Sequence, residues 1–199
     1  MPLTSNVPLD DYVLVDASIL IAAFIPTHRR HQTVQRFLRH AGTQFRVGAA
    51  ELFASDLAIE EAAHFLTNTL LQDDVDRNRY PLARRRFDEW RQYSNNPQAL
   101  WNADALYKQE PQAIVPHVPQ VARFISNVRA IPIQIVEPDM LIGAGFSLVE
   151  RMRDNIRNYA LRPADAYHTA VASAIGATML VTLDRDWLRT QQDFTVVFG

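Results

Sequence analysis

Four acidic residues stand out for where they fall: Asp16 closing VLVD, Glu61 in SDLAIEEAAHFL, Asp165 in RPADAYHTAVASA and Asp184 in TMLVTLDRDW. Each ends an apolar, strand-like run or lies on a helix that begins soon after one, so all four can meet at one edge of a parallel sheet. Carboxylates gathered without an interleaved Lys or Arg repel one another and hold protons more tightly unless a cation neutralises them. Oxygen ligands in a chain without cysteine suit a hard ion, Mg²⁺ or Mn²⁺. Such an ion keeps several waters and accepts phosphate oxygens, which favours attack of an activated water on a phosphodiester. Taken singly, each acid has a plainer use. An Asp closing a strand serves as a turn or cap residue, and Asp165 in a first helical turn serves the helix dipole.

The elements that must position these acids are legible as alternating runs. Strands are expected over residues 12–15, 51–54, 131–136, 178–182 and 195–198. Helices are expected over 18–24, over 28–40 with Val34, Phe37 and Leu38 at helical spacing, and from a cap at Ser55 or Asp56 to about Leu71. A long helix over 139–159, a helix over 163–175 with Pro163 at its start, and a short one over 186–191 complete the set. Strands alternating with helices imply an α/β domain with a mainly parallel sheet covered on both faces. The stretch 72–130 differs: it is charged, rich in Arg and Gln, and punctuated by Pro81, Pro97, Pro111, Pro116 and Pro119. It reads as a helical insertion or lid in a single domain spanning 1–199.

Composition narrows the classes further. With 199 residues and 48% hydrophobic content, one well-packed domain is expected. The net charge of −2 divides as −2 over residues 1–70, +2 over 71–130 and −2 over 131–199, so a local basic surface sits within a near-neutral whole. Lys108 is the one lysine, and the other basic residues are arginines, whose planar fork suits bidentate phosphate contacts. Absence of cysteine excludes disulfides, zinc–thiolate sites and thiol catalysis. No apolar run approaches the ~20 residues of a membrane helix, and MPLTSNVPLDD lacks the features of a secretory signal. The expected location is the cytoplasm.

The segments VLVDASILIAAF, SDLAIEEAAHFL and PADAYHTAVASAIGATMLVTLDRDW, with the closing strand, resemble in that order the motifs of PIN-domain ribonucleases, including VapC-type toxins of toxin–antitoxin pairs. The resemblance spans residues 12–71 and 131–198, and its most specific part runs from Asp165 to Trp187. It implies a PIN-like α/β fold and a metal-dependent endoribonuclease cutting single-stranded or loop RNA. Asp16, Glu61, Asp165 and Asp184 would hold Mg²⁺ or Mn²⁺, with Asp186 as an additional acid. Ser18 and Thr182 occupy places that in relatives orient carboxylates or waters. Periodicity leaves Glu60 and Glu61 on opposite flanks of an apolar stripe of Ile59, Ala62, Ala63, Leu66 and Leu70, and does not choose between them. The family's usual offset from the serine of the preceding strand end, counted from Ser55, selects Glu61. A homodimer and a cognate antitoxin blocking the cleft are also implied. The stretch between Leu71 and Ile131 is longer than in compact members.

His64 and His168 each follow a proposed ligand by three residues on a helix, and both are expected to be structural. Arg29 and Arg30, within HRRH at 28–31, and the triplet Arg84, Arg85 and Arg86 are the candidates for holding an RNA backbone; such contacts position a strand without reading its sequence. Trp90, Tyr93 and Trp101 are candidates for stacking on bases. A HAD-type phosphatase would need a second acid two residues after Asp16, where Ser18 stands. A receiver-like phosphoacceptor would need a lysine near the last strands, and Lys108 lies elsewhere. The remaining alternative is a PIN-like binding module that does not cleave.

Overall fold

Short strands that are apolar throughout need cover on both faces. In the structure, a computed structural model that describes residues 1–4, 7–77, 79, 110–141 and 147–199, helices supply it. Strands β1 (Tyr12–Val15), β2 (Glu51–Ser55), β3 (Ile133–Val136), β4 (Met179–Thr182) and β5 (Thr195–Phe198) form one sheet in the order β3-β2-β1-β4-β5. Every pairing is parallel. β4 is buried along its whole length, and Val13, Leu14 and Val15 of β1 are buried as well. This is the expected α/β architecture.

β1 is central, with β2 on one side and β4 on the other. The strand order reverses direction at β1, and the crevice beyond the carboxyl ends of β1 and β4 is where such sheets bind ligands. Asp16 and Asp184 stand just past those two ends. Among the described residues the helices are α1 (Ala17–Phe24), α2 (His31–Arg46), α3 (Asp56–Asp76), α4 (Val118–Ala130), α5 (Leu148–Tyr159) and α6 (Pro163–Ala174). Short 3-10 turns occupy Pro111–His117, Pro138–Leu141 and Arg185–Thr190. Leu14, Val136, Val171, Leu180, Trp187 and Val196 share one buried cluster, which locks α6 and the last turn onto the sheet. Gly176, at φ 73°, lets the chain leave α6 and reach β4 within a few residues, a backbone turn that a side chain would strain.

Several bounds differ from expectation: the third strand begins only at Ile133, α3 runs on to Asp76, and the last short helix is the 3-10 turn Arg185–Thr190. The long helix over 139–159 is a 3-10 turn, Pro138–Leu141, and a separate helix, α5; residues 142–146 lie outside the described residues. Ser147 accounts for the new start, since its hydroxyl accepts the Glu150 N–H at 3.3 Å and caps the helix there. The helix expected over 28–40 begins only at His31 and continues to Arg46, burying Ala41 and Gly42 beyond the expected end.

The chain divides into two compact units, residues 1–62 with 125–199, and residues 63–124. The first holds the sheet and every acid proposed as a ligand. In the second, the described residues contain helices and 3-10 turn but no strand. Leu66, Leu71, Ala113 and Phe124 are buried there. Asp74, also buried, takes Arg79 Nη1 at 2.7 Å on one oxygen and His117 Nε2 at 2.7 Å on the other. Most of the expected 72–130 insertion falls in this unit, and its central part, 80–109, lies outside the described residues. Among the described residues no helix is long and apolar enough to cross a membrane.

Candidate metal centre

Asp16 occupies the step from β1 into α1 and uses both carboxylate oxygens. Oδ1 accepts the Ala17 N–H at 2.7 Å, capping the helix. Oδ2 accepts the hydroxyls of Ser18 at 2.7 Å and Thr182 at 2.9 Å. Those hydroxyls are themselves aimed by backbone: Leu183 N–H donates to Ser18 Oγ and Asp184 N–H to Thr182 Oγ1, both at 2.9 Å. The family resemblance put Ser18 and Thr182 at places that orient carboxylates or waters, and here both hydroxyls donate to Asp16. Asp184 Oδ1 accepts the Asp186 N–H at 2.9 Å and so opens the Arg185–Thr190 turn.

Glu61 arrives from α3 and His168 from α6. Glu61 Oε2 lies 2.9 Å from His168 Nε2. The other ring nitrogen, Nδ1, lies 2.6 Å from Ser55 Oγ at the end of β2. One ligand atom from each of Asp16, Glu61 and His168 falls within 4.8 Å of the other two, close enough to share an ion. Of the adjacent glutamates it is Glu61 that meets this group, while Glu60 is exposed.

Asp165, in the first turn of α6, is pushed up to about 6, first by burial and then by the charges of Asp16 and Asp184, with His168 and Arg162 opposing. That mutual repulsion is what a cation relieves. Gathered carboxylates form a donor set that accepts a hard divalent ion, so the acids present, with the imidazole of His168 beside them, fit such a metal.

Other candidates have different surroundings. The two oxygens of Asp186 meet guanidinium groups, Arg162 Nη2 at 3.3 Å and Arg189 Nη2 at 3.2 Å. His64 lies 3.1 Å from Asn68 along α3. Arg29 and Arg30 are exposed, whereas their neighbour His31 places Nδ1 2.9 Å from the Ala22 carbonyl. With Gln35 donating to the Ala23 carbonyl at 2.6 Å, His31 satisfies the end of α1. His28 is lowered by burial first and then by Arg29, His31 and Arg30. Arg84, Arg85 and Arg86, like Trp90, Tyr93 and Trp101, lie outside the described residues.

Two relationships had no sequence signal strong enough to find them. Ser55 reads as a helix cap, and it does accept the Ala58 N–H at 3.2 Å, but it also reaches His168, 113 positions away. Tyr167 donates its hydroxyl to Asp56 Oδ1 at 2.6 Å; burial, and then that bond, make its proton harder to remove. The one hint was that Tyr167 and His168 follow Asp165 by two and three positions on the same helix. No protein-family model and no curated protein matches this chain.

Proposed function

We propose that the chain is a divalent-metal-dependent endoribonuclease that hydrolyses phosphodiester bonds in single-stranded or loop RNA. The observation that carries this reading is the approach of Asp16, Glu61 and His168 within 4.8 Å at the carboxyl edge of a parallel sheet. The raised Asp165 beside them supports it. Asp16 and Glu61 would hold the ion, with Asp165 and Asp184 completing its acidic surroundings. A bound Mg²⁺ or Mn²⁺ supplies Lewis-acid activation of water and neutralises charge on the phosphodiester. Ser18 and Thr182 keep Asp16 in one orientation, so no reorganisation is needed when substrate arrives. Arginines contact the RNA backbone; exposed Arg185 directly follows Asp184, and exposed Arg162 at the start of α6 precedes Asp165 by three residues. Resemblance to small toxins extends the proposal to a homodimer blocked by a cognate antitoxin.

The direct test is cleavage of a stem-loop RNA, read on a gel, with Mg²⁺, with Mn²⁺ and with EDTA. Cleavage should require the ion and vanish in Asp16→Asn and Asp184→Asn proteins whose circular dichroism matches wild type. Cleavage that survives EDTA, or persists at wild-type rate in both variants, would overturn the proposal. Absence of metal-dependent cleavage on any RNA tried, together with tight metal-independent RNA binding, would favour the non-cleaving module.

A further inference from the structure

His168 lies beside the acids at 1% exposure, and both ring nitrogens have partners. Its ring is stacked with Trp187, with 6.0 Å between centroids and 21° between planes, and meets Tyr167 edge-on. A ring held this way has a single orientation available. The open question is chemical: a lone pair on Nε2 would make His168 a ligand, whereas a proton on Nε2 would make it a donor to Glu61.

Both ends of the ring decide this in the same direction. Ser55 Oγ already accepts the Ala58 N–H, and among the described residues its only other bond is to Nδ1. Ser55 is fully buried, so its hydroxyl proton would be stranded unless it is donated to Nδ1. That leaves the ring proton on Nε2. At the other end, a bare Nε2 lone pair would face the Glu61 carboxylate at 2.9 Å, two acceptors in contact, while an N–H there makes a charge-assisted bond. We infer that His168 is a positioning residue rather than a metal ligand: it relays the orientation of Ser55, at the end of β2, to Glu61 and holds that carboxylate toward Asp16.

The consequence is preorganisation. The Glu61 side chain is 36% exposed and would otherwise spread over several rotamers, a freedom that metal binding would have to remove. The relay removes it during folding, because Ser55 is set by the cap of α3 and His168 by its stacking. Partners that orient a ligand in this way typically contribute about 10- to 100-fold to metal affinity.

The inference rests on the metal-site reading, and its test separates the two. In metal-free wild-type protein, long-range ¹H–¹⁵N correlation spectra of the histidine rings should show His168 with its proton on Nε2; a ring protonated on Nδ1 alone overturns the inference without reference to any ion. With Mn²⁺ added, pulsed electron paramagnetic resonance should show no directly coordinated imidazole nitrogen. His168→Ala should weaken Mn²⁺ binding by about 10- to 100-fold, and His168→Gln, whose amide can donate from nearly the same place, should recover most of that loss. A Gln variant as weak as Ala overturns the relay. Bound Mn²⁺ with a coordinated imidazole nitrogen sinks the inference alone, whereas a wild-type protein that binds no Mn²⁺ sinks the metal reading and the inference with it.

Discussion

Thr182 Oγ1 donates to Asp16 Oδ2 at 2.9 Å across 166 positions of sequence, joining the ends of β4 and β1 through a single hydroxyl. The same oxygen accepts the Asp184 N–H, so one side chain serves two acids. Thr182→Val keeps the shape and removes both bonds. With Thr182 fully buried and Asp16 nearly so, metal-free stability should fall by about 1.5–3 kcal/mol, the range for hydrogen bonds to charged groups. Thr182→Ser should restore most of it. Urea unfolding of the three proteins measures this, and an unchanged midpoint for the Val variant would show that the hydroxyl contributes nothing.

Glu61→Gln should weaken Mn²⁺ binding beyond the about 10- to 100-fold that loss of an outer partner costs, while Glu60→Gln should leave it near wild type. Glu61 lies with Asp16 and His168, and Glu60 is exposed. Isothermal titration with Mn²⁺ separates the two. Equal losses would mean that crowding of negative charge matters and the contact geometry does not.

Asp165 gives the metal-free protein a definite pH dependence. Its carboxyl titrates near 3.8 when unperturbed and near 6 in the folded chain. Between those values the folded state keeps a proton that the unfolded state has released, so stability falls as pH rises from about 4 to about 6 and the contribution is level above that. Partial exposure of the group reduces its size. Asp165→Asn should remove this component, making the variant more stable than wild type at neutral pH without metal. Mn²⁺ should offset the loss in wild type and release protons on binding near pH 5–6. Melting temperatures of both proteins across this range, with and without Mn²⁺, carry the test; parallel profiles for the two would count against it.

Asp74→Ala should destabilise the 63–124 unit by about 1.5–3 kcal/mol, because it removes the common acceptor of Arg79 and His117 from a position whose side chain is 5% exposed. Hydrogen exchange would show lost protection in the Pro111–His117 turn. Retained protection there would mean that packing around Ala113 suffices.

The sheet was readable because a parallel strand buried on both faces is apolar without interruption, as in MLVT of β4 and VLV of β1. β5 also has the expected bounds, with Val196 and Val197 buried between an exposed Thr195 and a half-buried Phe198. The single helix expected over 139–159 failed because helical periodicity does not register a competing cap such as Ser147. Ser18 and Thr182 were singled out through the family resemblance alone, since spacing by itself leaves each as a capping hydroxyl. The choice between Glu60 and Glu61 could not be made from periodicity, since it depends on a contact with His168 107 positions away. Asp186 shows the same limit from the other side: its pairing with Arg189 is a local i,i+3 contact, whereas that with Arg162 spans 24 residues.

The pairing of β1 with β4 also sets when the acids can come together during synthesis. Asp16 and Glu61 are synthesised before the strand that flanks β1 on the Asp184 side, and the hydroxyl of Thr182 follows Asp16 by 166 positions. Parallel pairing between such distant segments must overcome loop-closure entropy before any contact rewards it, which makes this class of topology slow to fold. A nascent chain halted before residue 182 carries Asp16 with neither its cross-sheet donor nor the neighbouring strand that places it. Whatever chemistry the acids perform is therefore withheld until the segment that carries Thr182 has emerged.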